Sequence, residues 1–490
     1  MSRRSGKPCA LALVNEGNLG NYGMAALRDT PGVAEAWGKP FPNDLNDPAF
    51  ATFLAERETN LFERLKAFVR DECGCAAPLS SISAWYNPVQ YQLVRTHFDY
   101  VDNHFYVDHP QFLGVPWRLP SRCPNVNPLL STARGAQKAE WYRLIDKPFC
   151  VTEFNYSGPG RFRGVGGIAL GALASLQDWS GLWRFAWSHS RGGIVKPGGQ
   201  LGYFDVAGDP LALAAERAGL CLFLRRDLEP LAEERPAVFS EAALRNPEQG
   251  AVDFPGPDQP LALGWEARVG TRVVRAGTVP GAQNSDKSAV PPTPSDGLVT
   301  ISSAGSMLLD TPLTAGGFAE SGAHTAGPLR FELLEVSRNG DSSPPRSGTV
   351  APATVWVSSL DGKPIASSSH LLLTHLTDVQ NSRMEYADAD LKILINWGGL
   401  PHIMRNGAAE IELTIDGGAG AEPPSFAVWR LSSGGKRLGE VPFTLAAEGS
   451  RDVSPSFAQA EALKALRLRF TARTDYDPSS ATYLYEIVRE

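Results

Sequence analysis

The chain has 490 residues, 43% of them hydrophobic and 20% charged, with a formal net charge of −7. That length exceeds one ordinary domain and predicts two or three, with at least one large apolar core. The mild acidity excludes the basic face that nucleic acid or an anionic membrane surface requires, and no run approaches the roughly 18 apolar residues of a membrane span.

Six cysteines are too few and too scattered for a disulfide framework. Cys9, Cys150 and Cys221 lie in apolar runs and read as small core residues, while Cys73 and Cys75 lack the spacing of a zinc knuckle. No metal and no cofactor are expected. The segment Met1–Lys7 has no apolar stretch of the signal-peptide kind. Localisation is left unassigned, an extracytoplasmic one following only if a signal peptide lies upstream.

From Cys9 to about Arg226 short β-branched or aromatic runs alternate with helical patterns, the signature of βα units around a parallel sheet. Strands are predicted at Cys9–Glu16, Ser81–Tyr86, Tyr100–Tyr106, Phe149–Phe154 and Gly181–Trp187. Helices are predicted at Asp47–Glu72, Val89–Phe98, Ala133–Ile145, Val165–Gln177 and Pro210–Leu224. Polar and aromatic residues gather at the C-terminal ends of these strands: Asn15 and Glu16, Trp85 and Tyr86, His104 and Tyr106, Glu153, and Trp187 with His189. In a βα barrel that is the face on which active sites are built.

Cleavage of a glycosidic bond commonly needs two carboxyl groups, one to protonate the leaving oxygen and one to attack the sugar or activate water. Glu16 and Glu153, three strands apart, supply such a pair. An Asn-Glu pair closing one strand, with a lone Glu closing the strand three further on, resembles the clan of retaining glycoside hydrolases whose (β/α)8 barrels carry the catalytic glutamates after strands four and seven. The resemblance covers about residues 9 to 226, through Asn15-Glu16, Tyr106, Thr152-Glu153-Phe154-Asn155 and the aromatic run Leu182–Trp187. It implies that Glu16 is the general acid/base and Glu153 the nucleophile. It further implies that Asn15 binds the sugar 2-hydroxyl, that Tyr106 or His104 orients the nucleophile, and that Trp187 forms a stacking floor. Trp85 and Trp183 read as packing residues, and His189 and Arg191 are left without a role.

The clan's pattern has eight strands and this run supplies five. The expectation is a partial (β/α)8 TIM barrel of strands four to eight over residues 1–228, with strands one to three contributed by an upstream segment or another chain. After Leu228-Glu229-Pro230 the βα rhythm stops. Residues 229–296 read as a β-rich connection with a flexible linker at Ala282–Gly297, and 297–490 as an antiparallel β-sandwich with a further loop at Asn339–Ser347. Its alternating runs include Leu261–Val269 just before it, then Leu298–Leu309, Thr354–Ser358, Lys392–Trp397, Ala409–Ile415, Phe426–Leu431 and Ala465–Thr471. Trp265, Trp356, Trp397 and Trp429 read as core ahead of sugar stacking, and His370–Asn381 as a solvated loop ahead of a turn that docks near the barrel. The expected function is retaining hydrolysis of a β-linked saccharide, with activity in question for a chain short of three strands. The alternative is a non-catalytic carbohydrate-binding or structural protein.

Overall fold

The computed structural model describes residues 10–83, 85–130, 135–195, 199–245, 261–275, 298–336, 349–417, 424–447, 465–476 and 481–489. Cys9, the start of the helix expected from Ala133, the linker Ala282–Gly297 and the loop Asn339–Ser347 lie outside the described residues.

In the first half, strands β1 (Leu11–Ala12) and β2 (Leu79–Ser80) pair in parallel. Strand β3 (Val101–Val107) is followed by a small hairpin of β4 (Gln111–Phe112) and β5 (Ser121–Arg122). Strands β6 (Phe149–Tyr156) and β7 (Gly181–Arg184) join β3 in a three-stranded parallel sheet, in the order β3-β6-β7. Helix α1 (Pro48–Ala67) starts where Asp47 accepts the Phe50 N–H and Pro48 occupies the first turn. Helix α2 (Gly166–Leu176) is apolar on every side and buried along its whole length. Helix α3 (Pro210–Gly219) repeats the Asp-Pro start and crosses α2 closely. A Cβ on Gly167 would come within 1.8 Å of the Ala215 carbonyl oxygen, so only glycine permits that crossing.

This is not the expected partial (β/α)8 barrel. Among the described residues, parallel strand pairing is confined to sheets of two and three strands, and most of the sheet structure is antiparallel. A barrel requires successive tilted strands of matched length that can stagger and close. Here β1 and β2 pair over two residues each, and the described residues of the run Ser81–Tyr86 form no strand. The helix expected at Val89–Phe98 shrinks to Tyr91–Arg95, and the described part of the one ending at Ile145 holds two 3-10 turns, Ala136–Lys138 and Glu140–Tyr142.

The second half is dominated by two antiparallel sheets. One has eight strands in the order Val299–Ile301, Met307–Asp310, Thr314–Ala319, Ala353–Ser359, His370–Leu376, Leu484–Arg489, Phe426–Leu431 and Arg437–Glu440. The other is built around Leu329–Val336, Ala408–Asp416 and Ala465–Arg473. Alternate residues of each meet in a shared core: Val355, Val357, Leu373 and Ile487 from the first, Phe331, Ile411, Leu468 and Phe470 from the second.

The other face of the eight-stranded sheet packs on the first half. Trp356, fully buried, lies under the Arg217 guanidinium of α3 at 3.7 Å, and Arg217 also donates to Ser358 and Thr374. Met307, Leu309, Phe318 and Trp356 belong to the same apolar core as β3, β6 and α2. A third connection crosses the halves as sheet: Ile393–Asn396 pairs antiparallel with β5, extending the β4-β5 hairpin. The segment His370–Asn381 is therefore not a solvated loop. His370–Leu376 is a strand of the large sheet, and buried Asn381 accepts the Leu201 N–H (2.8 Å) while donating to the carbonyls of Leu201 and Trp397. Arg163 bonds both Asp209 (2.6 Å) and the Val379 carbonyl (2.6 Å) beside it. Among the described residues no helix is long and apolar enough to cross a membrane.

Candidate active site

Alternation along β3 places Asp102, His104 and Tyr106 on one face of a strand whose Val101, Phe105 and Val107 belong to the apolar core. Beside it β6 carries an irregularity: Asn103 is level with Val151 but His104 is level with Glu153, so Thr152 is an extra residue. As a result Thr152 and Glu153 both reach the same imidazole. His104 Nε2 lies 3.0 Å from Thr152 Oγ1, while Nδ1 lies 3.0 Å from Glu16 Oε1 and 3.5 Å from Glu153 Oε2.

Glu16 arrives from the turn after β1, which is tied to β2 through the Leu13 N–H on the Ser80 carbonyl (2.8 Å). Its backbone is left-handed (φ 49°), a conformation held by its N–H on Ser83 Oγ (3.2 Å) and by Asn21 Nδ2 on its carbonyl (2.8 Å). Asn15 Nδ2 donates to Glu153 Oε1 (3.3 Å), and the Tyr106 hydroxyl donates to Glu153 Oε2 (2.8 Å). The Glu16 and Glu153 side chains remain 31% and 17% exposed, whereas His104 is enclosed. Burial, and then the Glu153 hydrogen bond, push the Tyr106 hydroxyl above its ordinary range, so it stays a donor.

Behind His104 runs a buried relay. Thr152 Oγ1 donates to Asp102 Oδ2 (2.8 Å), and Ser80 donates to the other Asp102 oxygen. Burial raises the Asp102 carboxyl against the pull of these two hydroxyls. Thr152 has one hydroxyl proton and gives it to Asp102, so it accepts from Nε2–H of His104. Nδ1 then faces Glu16.

Five of the six residues picked from the sequence, Asn15, Glu16, His104, Tyr106 and Glu153, are brought together. Trp187 is exposed on the segment after β7, and no hydrogen bond or ring contact joins it to the carboxylates among the described residues. Trp85 and Trp183 do not pack inside: they are 60% and 47% exposed. Sequence reasoning missed Asp102, Thr152 and Ser80. The signal for Asp102 was available, since it stands two residues before His104 on one strand face. Asn155 also escaped a role: buried, it donates to the Phe204 carbonyl (2.9 Å) and accepts from Arg184 (2.9 Å), fixing β6 to the segment after β7.

Glu16, His104 and Glu153 bring one ligand atom each within 4.8 Å of one another, close enough in principle to share a divalent cation. The neutral donors Asn15 and Tyr106 already engage both oxygens of Glu153. Comparison with protein-family models, with curated proteins and with solved structures finds no match to this chain.

Proposed function

We propose that the chain is a glycoside hydrolase that cleaves a β-linked saccharide with retention, through a glycosyl-enzyme intermediate. The observation that carries this reading is the carboxylate pair: oxygens of Glu16 and Glu153 lie within 4.8 Å around one buried imidazole. Retaining enzymes hold their carboxyl groups about 5–5.5 Å apart, whereas inverting ones need about 6.5–9.5 Å to admit a water. The residue pattern Asn15-Glu16 and Glu153, similar to that of the retaining clan, supports the same assignment.

In this mechanism Glu153, held by hydrogen bonds from Tyr106 and Asn15, attacks the anomeric carbon. Glu16, beside His104, protonates the leaving oxygen, then takes a proton from the water that releases the sugar. His104 is a positioning residue whose ring is set by the Thr152–Asp102 relay. Asn15, beside Glu153, is placed to bind the sugar 2-hydroxyl.

The test is release of the aryl group from a panel of β-linked aryl glycosides. The Glu153→Gly variant should lose hydrolysis and, given azide, form the glycosyl azide of opposite anomeric configuration. The Glu16→Ala variant should lose far more activity on poor leaving groups than on dinitrophenolate. If the parent releases nothing, and Glu153→Gln leaves polysaccharide binding unchanged, the reading fails and a non-catalytic carbohydrate-binding role stands in its place.

A further inference from the structure

Tyr106, whose hydroxyl holds Glu153, is the centre of a group of aromatic rings. Trp85 lies 6.2 Å from it and Phe204 5.6 Å, and Phe204 leads to Trp117 at 6.3 Å. Phe204 is buried, but Trp85 and Trp117 are 60% and 66% exposed. Soluble proteins seldom leave such large apolar side chains in water side by side with a functional group unless something covers them. Trp117 also sits in the left-handed backbone region (φ 65°), which a bulky residue occupies at a cost that glycine or asparagine would avoid. Local preference does not explain an indole there.

The loop that presents Trp117 is held from beneath. It spans the β4-β5 hairpin, and β5 is paired with Ile393–Asn396 of the second half. Phe112 packs on Trp117 at 5.0 Å and on Tyr203 at 5.7 Å, Tyr203 packs on Trp397 at 4.8 Å, and the Tyr203 hydroxyl bonds Ser121 (2.8 Å). The exposed ring thus stands on a fixed base, the condition under which a rigid aromatic contributes affinity without losing much freedom.

We propose that Trp85 and Trp117 are stacking platforms for successive glycosyl units of a β-linked oligosaccharide whose scissile bond lies at Glu16 and Glu153. This rests on the hydrolase reading and names its substrate class: a chain of several sugars. The apolar C–H faces of β-linked pyranose rings complement flat indole surfaces, and the platforms are continuous with the carboxylate site through Tyr106. The braced loop makes the second half part of the substrate cleft.

The experiment compares kcat/KM for di- and hexasaccharides of β-1,4 and β-1,3 glucan, xylan, mannan and galactan, using the full chain. For the linkage the parent cleaves, Trp85→Ala and Trp117→Ala are each expected to lower the hexasaccharide-to-disaccharide ratio of kcat/KM at least tenfold, with Trp→Phe recovering much of it. Trp183→Ala, exposed on β7 away from these rings, should leave the ratio within twofold. Ratios within twofold of the parent in both test variants would overturn the platforms while leaving the hydrolase intact. If the parent cleaves nothing, the hydrolase reading has failed separately. The platforms are then judged by titrating the hexasaccharides into the parent: binding weakened tenfold by both tryptophan variants upholds them, and unchanged or absent binding overturns them.

Discussion

Glu58 offers a direct test of the electrostatics around the site. It lies on α1, is 5% exposed, and its carboxyl accepts the N–H of Leu19, in the turn that follows Glu16. Burial pushes the carboxyl from 4.5 up to about 7, with the Leu19 hydrogen bond pulling the other way. Because the folded state raises the pKa, it binds the proton more tightly than the unfolded chain does. The associated stability is full below about pH 4.5 and is lost as pH rises through 7. An interval from 4.5 to about 7 corresponds to a loss on the order of 3 kcal/mol. Glu58→Gln keeps an oxygen acceptor for Leu19 and removes the charge. Urea unfolding followed by tryptophan fluorescence should find variant and parent similar at pH 4.5 and the variant more stable by up to about 3 kcal/mol at pH 8.5. A stability difference that is the same at both pH values would refute the reasoning, because it would mean that Glu58 does not titrate between them.

Other perturbations test separate parts of the structure. Tyr106→Phe removes the 2.8 Å hydrogen bond to Glu153. A bond to a charged group is worth about 1.5–3 kcal/mol, so kcat/KM on an aryl glycoside should fall about 10- to 100-fold, and a loss under threefold would detach the hydroxyl from the reacting carboxylate. Arg163→Met strips a buried partner from Asp209, which should lower stability by about 3–5 kcal/mol in urea unfolding. A loss below about 1 kcal/mol would mean that water already screens the pair. A chain cut after residue 228 should give no cooperative unfolding transition, since Met307, Leu309, Phe318 and Trp356 complete the core around α2. A sharp transition from that fragment would show the first half to be self-sufficient.

What sequence could reveal followed the range of each interaction. His104 and Tyr106 were legible because the alternating faces of a strand are a local property, read from a handful of residues, whereas Glu153 lies inside β6 and Glu16 in the turn four residues after β1, not at the strand ends expected of them. The barrel expectation failed on a long-range property. The runs at Leu11 and Leu79 have strand chemistry, yet how far they pair and what lies beyond them depend on partners far along the chain. The junction between the halves was misread for a related reason. Polar residues such as Asp378 and Asn381 suggest solvent when seen in a row, but Asn381 is buried with its amide spent on Leu201 and Trp397. Trp85 illustrates the converse, because apolar character predicts burial and only the fold reveals that an indole beside Tyr106 is left in water.

The most consequential hidden feature is the single extra residue in β6. Had the pairing of Asn103 with Val151 simply continued, His104 would stand level with Thr152, and Glu153 would stand level with Phe105. Side chains level with one another in neighbouring strands share a face, so Glu153 would point with Phe105 into the apolar core. That would bury an unpaired carboxylate at a cost of several kcal/mol and leave Glu16 without a second carboxylate. The bulge instead turns Thr152 and Glu153 together toward His104, one to each ring nitrogen. The relay that sets the imidazole and the carboxylate that faces it therefore come from one local irregularity. Glu153 owes its place opposite Glu16 to register, which its neighbours in sequence do not encode.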